Sequence, residues 1–108
     1  MKYSIKIYTT ETGKKPFRQW LDELSDLKAR ATIDLRIERM AMGNFGKCEP
    51  IGGSVSELKI DFGSGYRIYF SRTGKTIVLL LCAGTKRSQQ RDIEKAKKYF
   101  QDYKIREG

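Results

Sequence analysis

Hydrophobic and polar positions alternate from the start of the chain. Tyr3, Ile5 and Ile7 fall on one side of an extended backbone and Ser4, Lys6 and Tyr8 on the other, which predicts a strand over residues 3–8. Residues 9–15 are polar, contain Gly13 and read as a turn. Pro16 suits the first turn of a helix, where a missing N–H costs nothing, and Phe17, Trp20, Leu21, Leu24 and Leu27 then follow at helical spacing. Ser25 and Asp26 are cap-like and break this helix. A second helix is predicted over residues 27–42, with Ala29, Ile33, Ile37 and Met40 as its apolar stripe and Gly43-Asn44 as its stop. Together the two make an antiparallel helical hairpin.

Period-two alternation returns later. Residues 45–54 contain Gly and Pro and are expected to be loop. Residues 55–62 place Leu58, Ile60 and Phe62 opposite Glu57, Lys59 and Asp61, and residues 66–71 form the next strand after Gly63-Ser64-Gly65. After a turn at residues 72–75, residues 76–82 are nearly all apolar, as in a strand covered on both faces. Residues 84–90 read as a basic loop. A helix over residues 92–103 turns Ile93, Ala96, Tyr99, Phe100 and Tyr103 inward. The expected order is β-α-α-β-β-β-α in a single domain, residues 1–108. It is an α+β fold: an antiparallel β-sheet that the first strand also joins, an N-terminal helical hairpin and a C-terminal helix, with the helices on one face.

Charge narrows the partners. The chain carries 22 Lys and Arg against 13 Asp and Glu, a net charge of +9 on 108 residues. Such an excess attracts polyanions, whether nucleic acid, an anionic membrane surface or an acidic protein. The start of the chain lacks the continuous apolar stretch of a signal peptide, and the run over residues 77–83 is too short to span a bilayer, so no membrane role is expected. With two cysteines, Cys48 and Cys82, and no His, neither a disulfide framework, nor a metal site, nor imidazole acid–base chemistry is expected. A cytoplasmic protein with free thiols is the plain expectation.

Strand parity locates the candidate chemistry. With Leu58, Ile60, Ile68 and Phe70 inward, Glu57, Lys59, Arg67 and Tyr69 point to a face expected to be open, and Lys86, Arg87 and Arg91 lie near the end of the apolar strand. These cations fit a phosphate site or an ordinary solvated face. Tyr69 is the candidate for stacking an unpaired base, while Tyr66, Phe70, Tyr99, Phe100 and Trp20 read as packing. Gly63-Ser64-Gly65 is a hairpin turn, because no helix and no Gly-Lys-Ser/Thr follows it.

Several segments together carry a resemblance. They are Lys14-Lys15-Pro16-Phe17-Arg18-Gln19-Trp20-Leu21, Gly52-Gly53-Ser54-Val55-Ser56-Glu57-Leu58-Lys59-Ile60, Gly65-Tyr66-Arg67-Ile68-Tyr69-Phe70, Leu79-Leu80-Leu81-Cys82-Ala83-Gly84-Thr85-Lys86 and Ser88-Gln89-Gln90-Arg91-Asp92-Ile93-Glu94-Lys95-Ala96. Over nearly its whole length the chain resembles the phage and HigB-like branch of the RelE/ParE toxin superfamily, the addiction-module killer proteins.

The resemblance implies a RelE-like toxin fold and a type II toxin–antitoxin system. It also implies a cognate antitoxin of HigA-like, helix-turn-helix type, with operator DNA reached only through that antitoxin. The implied activity is that of an mRNA interferase: a metal-independent, ribosome-dependent endoribonuclease that inhibits translation and arrests growth, with no cofactor. The alternative is a ParE-like DNA gyrase inhibitor without nuclease activity, and a third reading is an inactive relative kept as a DNA-binding or interaction module.

Metal-free RNA cleavage needs a base for the 2′-OH, cations for the developing phosphorane charge and an acid for the departing oxygen. Lys59, Arg67 and Lys86 match the family's basic catalytic positions, and Tyr69, Arg87 and Arg91 are the RNA-binding candidates. Where a relative carries Tyr or His, this chain has Arg91-Asp92. The remaining acid–base role is open between Asp92, Lys59 and the ribosome. Asp92 equally reads as a first-turn acid that favours the helix dipole.

Overall fold

In a computed structural model that describes residues 2–107, five strands form one sheet between two helical layers. The chain runs through β1 (Ser4–Ile7), α1 (Pro16–Glu23), α2 (Leu27–Ala41), β2 (Cys48–Gly52), β3 (Val55–Ile60), β4 (Tyr66–Thr73), β5 (Ile77–Thr85), a 3-10 turn (Lys86–Ser88) and α3 (Gln89–Glu107). Pro16 opens α1 as its position in the sequence suggests. Asp26 caps α2, its carboxylate accepting the N–H groups of Lys28 at 3.0 Å and Ala29 at 3.1 Å, a contact worth about 1 kcal/mol. Gly43 ends α2 with φ +91, a left-handed conformation that only glycine adopts freely.

The sheet order is β1-β5-β4-β3-β2. Neighbours from β2 to β5 are antiparallel, but β1 runs parallel to β5, Ser4 facing Ile77 and Ile7 facing Leu80. The sheet is therefore mixed, not wholly antiparallel. β1 covers the outer edge of β5, the most apolar strand, which would otherwise be exposed for pairing. β2 is a further difference. Residues 48–52, expected to be loop, pair with β3 as an edge strand, which tolerates Pro50, and the register shifts between Pro50 and Gly52. The order is thus β-α-α-β-β-β-β-α.

Both faces of the sheet are buried. On one, Phe17 and Leu21 of α1 and Ala29, Ile33 and Met40 of α2 pack with Leu58, Ile60, Ile68, Phe70, Val78 and Leu80. On the other, Ala96 and Phe100 of α3 pack with Val55, Tyr69, Leu79, Leu81 and Cys82. The expectation that helices share one face is overturned. The apolar stripe of α3 needs a sheet face of its own, and α1 and α2 already occupy the first. Full burial of a residue such as Phe100 is worth about 1.5–3 kcal/mol, so leaving that stripe in water would be costly. Between Tyr69 and Phe70 the pairing with β5 skips Leu81, a bulge that turns Leu81 and Cys82 both toward α3. The far end of α3 is latched to the segment just after β1: Tyr8 donates its hydroxyl to Asp102 at 2.5 Å, and Arg106 donates to the Thr9 carbonyl at 2.5 Å.

Candidate functional site

Lys59, Arg67 and Gly84 lie side by side on β3, β4 and β5, on the face that α3 covers. Lys59 is partly exposed, with Nζ 3.6 Å from Glu49 Oε1. Arg67 is 8% exposed; its Nε lies 3.8 Å from Glu57 Oε1 without a hydrogen-bond partner, and its Nη1 donates to the Tyr66 carbonyl at 3.3 Å. Lys86 is close by, because its N–H donates to the Gly65 carbonyl at 3.2 Å. A methyl group on Gly65 would sit 3.5 Å from Arg67 Nη1 and 3.9 Å from Lys86 Cβ. The absent side chain of Gly84 leaves the space that the Asp92 carboxylate and the Ser88 hydroxyl occupy.

One pleat further under α3 lie Glu57, Tyr69 and Cys82, again paired across the three strands. Glu57 Oε2 accepts the Tyr69 hydroxyl at 3.0 Å and the Gln89 amide at 2.8 Å. Burial, and then the charge of Glu57, push the Tyr69 phenol well above its ordinary pKa. Burial likewise pushes the Cys82 thiol up to about 12. Strand parity therefore assigns these side chains to the correct face, but that face is not open. Tyr69 is fully buried and cannot stack a base, which removes it from the RNA-binding candidates.

The remaining candidates separate into two places. Lys59 and Arg67 line a groove of about 430 Å³ with Lys47, Glu49 and Asp61. Arg87, Arg91 and Asp92 line a larger open cleft of about 890 Å³ between α1 and the start of α3. α3 begins at Gln89, earlier than residue 92, so Arg91 and Asp92 both lie in its first turn. Asp92 is buried and accepts the Ser88 hydroxyl at 2.5 Å, an arrangement that serves the helix start. Lys86, Arg87 and Arg91 are exposed, and no carboxylate among the described residues pairs with them.

Two cleft residues were not among the candidates. Trp20, expected to be packing only, is half-buried and lines the cleft, and Lys95 joins Arg91 one turn further along α3. The spacing of residues 87, 91 and 95, one helical turn apart, is the signal in the sequence that marks this row of cations. Among the described residues no three of Cys, Asp and Glu converge as metal ligands would, and no helix is long and apolar enough to cross a membrane.

No family model matches the chain. Over 99 residues it is 41% identical to an uncharacterized protein of Haemophilus influenzae, the match covering 92% of this chain and 96% of the relative. The chain belongs to one family with that protein. Because the match takes in nearly all of both chains, the family is defined over the whole domain and not over a shared fragment. The relative carries no named activity.

Proposed function

We propose that this chain is the toxin of a type II toxin–antitoxin pair, of the RelE/ParE kind in its HigB-like branch, and that it cleaves mRNA on the ribosome. The observation that carries the reading is the direct opposition of Lys59 and Arg67 across β3 and β4, with Lys86 beside Arg67 around Gly65. Cations so placed suit the charge that develops on a phosphate attacked by its neighbouring 2′-OH. Glu49 is well exposed, so an RNA phosphate can take its place beside Lys59. Asp92 is held by Ser88 inside the start of α3, which favours Lys59 or a ribosomal group as the proton acceptor. The net charge of +9 supports an RNA-rich target and an acidic segment in the neutralising antitoxin.

The gyrase-inhibitor reading has an observation in its favour: Lys59 and Arg67 each sit beside a carboxylate, and Tyr69 is buried. Brief induction in growing bacteria, with mapping of reporter mRNA ends, separates the two. Cuts confined to translated codons, with rescue by a co-expressed antitoxin from the neighbouring gene, are expected. DNA breaks with intact mRNA select gyrase inhibition. Normal growth under strong expression without antitoxin overturns the toxin assignment itself.

A further inference from the structure

The cations best placed to meet an incoming polyanion are not those of the sheet. Lys59 and Arg67 each have a carboxylate within 4 Å, whereas Arg87, Arg91 and Lys95 have none among the described residues. These three recur every four residues through the 3-10 turn and the first turns of α3, so they stand along one wall of the α1–α3 cleft. The facing wall is α1, which contributes Gln19, Trp20 and Glu23. Trp20 packs edge-on against Tyr66, with ring centroids 6.0 Å apart, and is half-buried, so part of the indole remains uncovered at the cleft. Two carboxylates, Glu23 and Asp92, stand in the cleft against the three cations; neither forms an ion pair with them, Glu23 accepting the Gln19 amide at 3.2 Å and Asp92 the Ser88 hydroxyl. Unpaired cations facing a partly exposed aromatic side chain are what an unpaired nucleotide requires, phosphates on one side and a base on the other.

We propose that the α1–α3 cleft seats an unpaired nucleotide of a single strand, its phosphates on Arg87, Arg91 and Lys95 and its base against Trp20. This deepens the RNA-directed reading above by naming a seat separate from the Lys59–Arg67 groove. Single-stranded RNA and single-stranded DNA present the same base-and-phosphate chemistry, and the test carries both.

Trp20 is the chain's single tryptophan, so its fluorescence reports on this cleft alone. The purified full-length protein is titrated with hexauridylate and with hexathymidylate, reading Trp20 emission and, separately, the anisotropy of labelled oligonucleotide. Saturable quenching is expected. The double variant Arg87→Ala/Arg91→Ala and the single variant Lys95→Ala should each weaken binding by roughly tenfold or more. Removing all three should lower the salt dependence by about 2 on a log–log plot. Trp20→Leu, read by anisotropy, should weaken binding by roughly tenfold. A triple Lys28→Ala/Lys75→Ala/Lys104→Ala, whose residues do not line the cleft, should change affinity less than about twofold. All three cleft cations are exposed, so these variants fold even if Trp20→Leu does not, and thermal melts check each one.

Quenching by both oligonucleotides assigns the seat to base and phosphate, and preference for hexauridylate assigns it to RNA. Cleft variants that bind like the wild type, Trp20 emission unmoved at saturation, or equal competition by hexaglutamate would overturn the proposal, the last because it marks an acidic protein segment as the occupant. The ribosomal reading is judged apart. Cleft-dependent binding with normal growth and intact mRNA after induction sinks the toxin function and leaves the seat. Codon-confined cleavage by a protein whose oligonucleotide binding ignores the cleft does the reverse.

Discussion

The Tyr69 hydroxyl donates to the Glu57 carboxylate at 3.0 Å beneath the first turn of α3, and the same oxygen takes the Gln89 amide at 2.8 Å. Two neutral donors and the nearby Arg67 hold one buried negative charge. Tyr69→Phe keeps the ring and removes one of these donors. It should cost about 1.5–3 kcal/mol, the range for a buried hydrogen bond to a charged group, read as a lower urea midpoint at unchanged slope. A midpoint within error of the wild type would mean that Glu57 does not depend on that phenol.

Arg67→Ala removes the cation beside Glu57, at a cost of about 1–3 kcal/mol, and, on the toxin reading proposed above, it should also abolish growth arrest. Pairing it with Glu57→Gln takes away the stranded charge. The double variant should recover most of the lost stability and none of the toxicity, as seen in urea melts beside growth curves. Toxicity that returns with stability would reduce Arg67 to a structural part.

Gly84→Ala should be destabilising for steric reasons alone. A methyl there would collide with the Asp92 carboxylate and come within 2.6 Å of the Ser88 hydroxyl, so the start of α3 would have to lift. Overpacking of this kind costs about 1–3 kcal/mol. Adding Asp92→Ala removes the closer obstacle, and thermal melts should show the double variant to be more stable than the sum of the two single losses.

Alkaline pH tests the packing around Cys82. Its thiol ordinarily titrates near 9, and burial raises it to about 12 in the folded chain. Between these values the unfolded chain loses the proton and the folded one keeps it. Stability from this group is therefore complete below pH 9 and falls as pH rises toward 12. Cys82→Ala should flatten the fall of unfolding free energy across that window, whatever it does to stability at neutral pH. Parallel pH profiles for the two proteins would show the thiol to be solvated.

The helices and the three central strands were legible because their apolar periodicity is strong, and Asp26 and Gly43 marked the limits of α2 in the sequence as in the structure. β2 was hidden because Cys48-Glu49-Pro50-Ile51-Gly52 does not alternate and contains Pro and Gly, both acceptable at a sheet edge. The direction of β1 depends on the path through α1 and α2, which leaves no local trace.

At the site, parity correctly set Glu57, Lys59, Arg67 and Tyr69 on one face, and the register of β3 with β4 places Lys59 opposite Arg67 and Glu57 opposite Tyr69. Parity could not show that the Tyr69 hydroxyl and the Glu57 carboxylate satisfy one another well enough to be buried beside Arg67. Two signals were available all the same. The apolar run through β5 implies cover on both faces, and the stripe of Ile93, Ala96, Tyr99 and Phe100 on α3 has nowhere else to go.

The pairing of Ser4 with Ile77 also sets an order of events during synthesis. Of the strands of this sheet, β1 leaves the ribosome first, and its neighbour β5 leaves last. β1 cannot dock until β5 has been made, and the loop this contact closes is among the longest the sheet allows. A nascent chain halted before residue 77 carries a strand with no sheet to join, so incomplete products leave β1 unpaired and prone to misassociation.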